Sequence, residues 1–144
     1  MSEITFHVVR AGTPDIHSHL SRLAEAFVSV HDGDADYSDM LDGIHSGEVS
    51  VYHLTGDGVD LTLAGEIVDD AYFIWAVCGR GLRPAIAELS RRVSELGLSA
   101  LTCGTGKPSA ARLYRQALGA VTTHTDEHTN GQQTTWHRLE VVHG

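Results

Sequence analysis

Residues 71–97 read AYFIWAVCGRGLRPAIAELSRRVSELG, and this stretch decides the fold. It starts with an apolar run of strand length and passes through glycines into a run with apolar residues at helical spacing. Gly97 is placed to end that helix, and Pro84 stands near its start. The apolar positions of the helix are Ile86, Leu89, Val93 and Leu96. The glycine turn between strand and helix is either a simple bend or a phosphate-binding loop.

Strands and helices follow one another along the rest of the chain. A first strand ends at Gly12, and the next residues predict a helix with Thr13 as N-cap and Pro14 in the first helical position. A short second helix within residues 38–47 precedes three strands, the last of which enters the glycine turn. A strand, a helix and a final pair of strands follow that turn. The predicted order is βααβββαβαββ, within a single domain over residues 1–144.

Composition narrows the classes of function. The formal net charge of -9 comes from 19 acidic against 10 basic residues, which argues against a general nucleic-acid partner. No apolar segment is long enough to cross a membrane and no signal peptide is recognisable, so we expect a cytoplasmic protein with Cys78 and Cys103 as reduced thiols. The basic residues cluster late in the chain, which suits a small anionic ligand. They are Arg80, Arg83, Arg91, Arg92, Lys107, Arg112 and Arg115.

The order of elements, with a glycine loop between the fourth strand and the third helix, resembles the GCN5-related N-acetyltransferase (GNAT) superfamily. The resemblance implies an α/β acyl-CoA N-acyltransferase fold: a mixed, mostly antiparallel sheet splayed between strands four and five and flanked by about four helices. It also implies acetyl-CoA as co-substrate, with its pyrophosphate on a loop of pattern Arg/Gln-x-x-Gly-x-Gly/Ala at a helix start.

The loop of this chain departs from that pattern. Residues 80–85, RGLRPA, give Arg80 and Ala85 at two of the three pattern positions and Arg83 where the middle glycine is expected. Pro84 removes one backbone N–H from the loop. An alternative alignment uses Gly79 and Gly81, but then Ala76 replaces the leading Arg or Gln. We expect the Arg80 and Arg83 side chains to replace part of the backbone as phosphate ligands.

A second resemblance lies in ARLYRQALGA, residues 111–120, which is similar to the family helix that carries the general acid. It implies that Tyr114 protonates the departing thiolate. Lys107 stands where the family has Asn and is expected to reach a phosphate, while the backbone of the fourth strand would hold the cofactor and orient the acetyl group. The rings of Phe73 and Trp75 are expected to pack in the core. The full set of predicted cofactor-binding residues is Trp75, Ala76, Val77, Arg80, Gly81, Leu82, Arg83, Pro84, Ala85, Lys107 and Ala110.

The general base is less well marked than the acid. The fourth strand carries no carboxylate, so the nearest candidates are Glu66 on the third strand and Asp69 and Asp70 at the following turn. The acidic run at residues 32–42 would line the acceptor side and favour a cationic acceptor. The same run does not match the pattern of a calcium-binding loop. The ten histidines are not spaced as the ligands of a metal site are, so no metal is expected.

The predicted function is transfer of an acetyl group from acetyl-CoA to a primary amine, with Tyr114 and Glu66 as catalytic residues. The alternative is a binding or structural protein that keeps this fold without catalysis, similar to small divergent GNAT-like proteins of bacterial viruses and prophages. A third alternative is another CoA thioester or an unrelated anion in the same cleft. The acceptor would be a small molecule or a peptide amine. The resemblance allows a homodimer, although no segment specifies an interface.

Overall fold

Seven strands form one sheet that carries helices on both faces. The computed structural model describes residues 3–116 and 118–141, with the backbone alone at 108 and 109. The strands are β1 Thr5–Val9, β2 Ser50–Gly56, β3 Val59–Val68, β4 Ala71–Arg80, β5 Ala100–Thr105, β6 Val121–Glu127 and β7 Gln133–Glu140. The helices are α1 Ile16–Ala24, α2 Gly33–Ser46, α3 Leu82–Glu95 and α4 Pro108–Gln116, with a 3-10 turn at Glu25–Phe27.

The sheet is mixed and mostly antiparallel. Its strand order is β1-β2-β3-β4-β5-β7-β6, and β4 with β5 is the one parallel pair in the part of the chain described. A parallel neighbour requires a crossover, which α3 supplies. The predicted order of elements and the mixed sheet are both confirmed.

Strands β4 and β5 diverge after a few residues. Their pairing runs only from Ala71 to Ile74 on β4, although β4 continues to Arg80. In the ladder with β3, Gly65 pairs with Ile74 and Ala64 with Ala76, so the residue between them is an extra one. A bulge of this kind bends its strand. The bulge at Trp75 thus lies where β4 leaves β5, and the predicted splay is confirmed.

Each face of the sheet has its own hydrophobic core. On one face, α3 packs its apolar stripe against the sheet through Ile86, Leu89 and Val93. On the other, α1 and α2 contribute Leu23 and Met40, both with no exposed surface. No helix in the described ranges is long and apolar enough to cross a membrane.

Three local predictions were wrong. Helix α1 begins at Ile16 with Asp15 as N-cap, because the hydroxyl of Thr13 donates to the Arg10 carbonyl oxygen at 2.7 Å and closes a turn instead of capping the helix. Helix α2 begins at Gly33, so it includes much of the acidic run, whose charges suit a helix N-terminus. Leu96 was expected among the apolar positions of α3, but α3 ends at Glu95 and the Leu96 side chain is 70% exposed.

Candidate functional site

A cleft of about 420 Å³ opens where β4 and β5 diverge. Its walls come from β4, from β5 with the loop after it, from α4, and from the β6–β7 hairpin. The segment that joins α1 to α2 covers one side. Residues from distant parts of the sequence therefore meet here. The predicted site residues in the lining are Trp75, Ala76, Val77, Lys107, Ala110 and Tyr114.

The edge of β4 that faces β5 has no strand partner from Trp75 onward. Its backbone N–H and C=O groups on that edge are consequently available to an extended ligand, which would pair with the strand as an added strand does. Ala76 and Val77 both line the cleft at this edge.

Tyr114 lies between the cleft and a smaller apolar cavity of about 40 Å³. Burial raises the pKa of the Tyr114 phenol, and the nearby Cys103 thiol raises it further. Burial also raises the pKa of Cys103 to about 12. The ring of His137, which is 2% exposed, meets the Tyr114 ring edge to face with centroids 5.5 Å apart. Tyr114 is therefore a protonated phenol in an apolar corner, and its hydroxyl is a donor that can face a group bound in the cleft.

The start of α3 is built around Gly81, its N-cap residue, which has a φ of 85°. An added Cβ would lie 2.8 Å from the Val59 side chain and 3.0 Å from the Gly58 carbonyl oxygen. The loop thus passes close to the β2–β3 turn in a conformation that favours glycine.

Few backbone donors remain at this helix start. The N–H of Ala85 donates to the Gly81 carbonyl oxygen at 3.0 Å, and Pro84 has no N–H. Helix geometry leaves the N–H groups of Leu82 and Arg83 without an acceptor inside the helix. Arg83 is exposed, and Arg80 is the exposed last residue of β4. A pyrophosphate would thus meet about two backbone donors and two guanidinium groups.

A charged network braces the same loop from beneath. Arg22 on α1 donates to the Asp60 carboxylate at 2.9 Å and to its carbonyl oxygen at 2.8 Å. His53 bonds the same carboxylate at 2.9 Å. These hydrogen bonds, that of His53 first, lower the pKa of Asp60 to about 2. A Cβ on Gly79 would come within 2.5 Å of the Arg22 guanidinium, so the loop rests directly on this network.

Three predicted residues have partners that the sequence did not indicate. The carboxylate of Glu66 accepts a hydrogen bond from the Trp75 indole at 2.9 Å, and Glu66 is not among the lining residues. The Lys107 ammonium donates to the Glu25 carbonyl oxygen at 2.7 Å, across the cleft. Asp70 forms an ion pair with Arg138 instead of facing the cleft.

The basic patch is smaller than the sequence suggested. Arg91 bonds both Glu88 and Glu95, and Arg92 bonds Glu88 at 3.2 Å. Neighbours one helical turn away neutralise these two arginines. In the described ranges, the patch arginines that form no ion pair are Arg80, Arg83, Arg112 and Arg115.

The lining residues that the sequence did not predict include four with polar or aromatic side chains that bear on the chemistry of the cleft. Trp136, Asp126 and His128 come from the last two strands and the turn between them, and Cys103 comes from β5. Only strand pairing brings these positions to the cleft, because β7 inserts between β5 and β6. Asp32 and Asp36, by contrast, lie in the lining as the acidic run predicted.

Two of the carboxylates in the cleft lining, Asp36 and Asp126, have different environments. Burial, with the charges of Asp32 and Asp39, raises the pKa of Asp36. Hydrogen bonds from the Trp136 indole and from His124 lower the pKa of Asp126. Asp126 therefore keeps its negative charge, while Asp36 accepts a proton more readily.

Comparison with solved structures decides the fold. No protein-family model matches the sequence, and no curated protein matches it. A proposed acetyltransferase of the GNAT family from Desulfovibrio desulfuricans superposes with a TM-score of 0.67 at 18% identity, over 97% of this chain and 100% of that one.

The chain has the GNAT fold.

Two further structures share this fold and were solved with ligands. An acetyltransferase from Bacillus subtilis in complex with CoA has a TM-score of 0.66 at 13% identity, over 97% of this chain and 100% of that one. Spermidine N-acetyltransferase from Vibrio cholerae, in complex with CoA and spermine, has a TM-score of 0.65 at 11% identity, over 96% and 95% of the two chains. At such identities the likeness establishes the GNAT fold, and function must be argued from the residues of the cleft.

Proposed function

We propose that this protein is an N-acetyltransferase that moves an acetyl group from acetyl-CoA to a primary amine. The observation that carries the proposal is Tyr114, a half-buried phenol in the lining of the cleft that the unpaired edge of β4 borders. The CoA complexes of the similar structures support the choice of co-substrate. The thiols of Cys78 and Cys103 are free, which fits a reducing cytoplasm.

The residues present fit acetyl-CoA. The pantetheine arm would pair with the free edge of β4 at Trp75, Ala76 and Val77. Its pyrophosphate would sit at the start of α3, on the N–H groups of Leu82 and Arg83. The side chains of Arg80 and Arg83 would supply the charge that Pro84 and the missing middle glycine no longer allow the backbone to provide.

The chemistry is a direct attack within one cleft. The neutral amine nitrogen forms a bond to the thioester carbonyl carbon, and the carbon–sulfur bond breaks. The thiolate takes the proton of the Tyr114 hydroxyl, and the proton lost by the amine passes to water or to Asp36. Water then returns a proton to the Tyr114 phenolate, so the acid is restored for the next turnover. Alignment of amine and thioester supplies much of the acceleration. Asp36 takes the role predicted for Glu66, because Glu66 is bonded to the Trp75 indole and does not line the cleft.

The acid assignment is tested by thiol release from acetyl-CoA with a panel of primary amines. We expect turnover in the wild type and a loss of about 100-fold in kcat for Tyr114→Phe. Calorimetry with acetyl-CoA is the companion measurement, with Leu113→Ala, an exposed neighbour on α4, as control.

The same two measurements separate the alternatives. No binding of acetyl-CoA at millimolar concentration would overturn the proposal. Binding without thiol release from any amine would support instead a catalytically inactive protein with this fold, the class that includes the phage-type proteins. The departures at Arg83 and Pro84 are the features that favour that second candidate.

A further inference from the structure

Three aromatic rings form a row in the cleft, with Phe73 in contact with the other two. Phe73 and Trp75 on β4 meet edge to face with centroids 5.6 Å apart, and Trp136 on β7 lies 6.4 Å from Phe73. All three line the cleft and are half-buried. We call Phe73, Trp75 and Trp136 the aromatic cage.

The indole N–H groups of the cage are already used. Trp75 donates to Glu66 at 2.9 Å, and Trp136 donates to Asp126 at 3.0 Å. Each hydrogen bond fixes the orientation of its ring, and it leaves the indole N–H unable to donate to a ligand. What remains for a ligand is the π face that is not packed against the protein, and this face carries negative potential.

The backbone beneath Trp136 is shaped to hold the ring flat. Gly104 on β5 pairs with Trp136, and a Cβ on Gly104 would lie 2.5 Å from the indole ring. The indole thus rests on the β5 backbone and extends toward Phe73 across the strand. Any larger residue at Gly104 would tilt the ring away.

Core packing does not account for these rings. Phe73 and Trp136 belong to neither hydrophobic core, and only Trp75 packs at the edge of one. The predicted core role of Phe73 is therefore wrong, and that of Trp75 is correct only in part. Aromatic rings that border an open cleft of about 420 Å³ form a surface for a ligand.

The charges around the cage favour a cation. Asp32, Asp36 and Asp126 line the cleft, and the Lys107 ammonium is bonded to a backbone carbonyl oxygen. The imidazoles of His31 and His128 stack at 3.8 Å on the same lining. The lining thus holds three carboxylates and one ammonium, and this excess of negative charge gives a negative potential near the π faces. The net charge of the chain, -9, has the same sign.

We infer that the aromatic cage, with the Asp126 carboxylate beside it, binds an aliphatic ammonium group of the acceptor other than the amine that reacts. The acceptor class is accordingly a linear diamine or polyamine. The inference rests on the proposed function and deepens it. The reacting amine must lose its proton to attack, whereas the second ammonium keeps its charge and is held by cation–π contact and by the carboxylate.

Binding is tested without turnover, with 1,4-diaminobutane as the probe and 1,4-butanediol as its uncharged match. Trp75 and Trp136 are the only tryptophans of the chain, so intrinsic fluorescence reports on the cage alone. Calorimetry gives the affinities, at about 0.15 M salt to screen the general negative charge. Both probes are measured with and without saturating CoA. We expect saturable quenching by the diamine and affinity at least about tenfold above that of the diol.

Variants locate the site. Trp136→Leu should weaken diamine binding about tenfold, Trp136→Phe should retain most of it, and Asp126→Asn should weaken it severalfold. Asp57→Asn, which removes the same charge at the β2–β3 turn, is the matched control and should bind as the wild type does. Equal affinity for diamine and diol, or unchanged binding in a folded Trp136→Leu variant, would overturn the inference.

Turnover separates this inference from the proposed function. If 1,4-diaminobutane binds through the cage but no amine is acetylated, the cation site stands and the acetyltransferase proposal fails. If amines are acetylated with no preference for 1,4-diaminobutane over 4-amino-1-butanol, the acetyltransferase proposal stands and the cage inference fails.

Discussion

Replacement of Gly81 by Ala tests whether the start of α3 is locked against β3. Gly81 has a φ of 85°, and Gly97 at the other end of the helix has a φ of 82°. A residue with a Cβ is strained in this left-handed backbone conformation, and the strain costs about 1–2 kcal/mol at either position. Only at Gly81 does the Cβ also meet Val59 and the Gly58 carbonyl oxygen, at 2.8–3.0 Å. Crowding of this kind adds about 1–3 kcal/mol.

We therefore expect Gly97→Ala to lose about 1–2 kcal/mol of unfolding free energy and Gly81→Ala about 2–5 kcal/mol. At roughly 3 °C per kcal/mol for a domain of this size, the melting temperature falls by about 3–6 °C and 6–15 °C respectively. Thermal and urea unfolding measure both variants. Calorimetry with CoA should show weaker binding for Gly81→Ala alone, because only that change crowds the loop that we propose as the pyrophosphate site.

Gly97→Ala is the matched control, since its Cβ would meet open space. Equal destabilisation of the two variants would refute the crowding argument. Wild-type CoA affinity in a folded Gly81→Ala protein would refute the placement of the pyrophosphate at this helix start.

Three further predictions concern charge and protonation. Arg83→Ala should weaken CoA binding about five- to tenfold. Arg91→Ala should leave CoA binding unchanged, because the Arg91 guanidinium is paired with glutamates on α3. Tighter CoA binding by Arg83→Gly would show that the arginine obstructs the site. Because burial raises the pKa of Tyr114, wild-type kcat should not fall between about pH 8 and 10 through loss of the acid; a fall that is absent from Tyr114→Phe would contradict this. Burial lowers the pKa of His19 and His137 below the ordinary 6.5. The unfolded chain therefore binds protons at these histidines at a higher pH than the folded chain, and urea unfolding should become easier as pH falls below about 6.5. An unchanged free energy of unfolding between about pH 7 and 5 would rule this out.

Local patterns were sufficient to predict the order of elements. The spacing of apolar residues predicted α3, and the apolar run before the glycine turn predicted β4. The predictions failed at the starts of α1 and α2. Thr13 closes a turn instead of capping α1, and the acidic residues from Asp34 onward enter α2, because these contacts depend on neighbours that periodicity does not include.

The candidate site was predictable only on one strand and two helix segments. The place of Tyr114 in the cleft lining follows from a motif in the sequence, and that of Asp36 follows from the acidic run. The residues from Arg80 to Ala85 are not in that lining, and their role as phosphate ligands stays a prediction. Trp136 and Asp126 could not be found in this way. They reach the cleft because β7 pairs with β5, and nothing local to either residue specifies that pairing.

The sequence by itself determined the order of strands and helices, the glycine turn at the start of α3 and the excess of negative charge, since each depends on residues close together in the chain. The tertiary structure alone decided what the cleft contains. Strand pairing placed Trp136 beside Phe73, and hydrogen bonding assigned Glu66 and Asp126 to the two indoles. Such contacts depend on distances between residues far apart in sequence, which only the folded chain fixes.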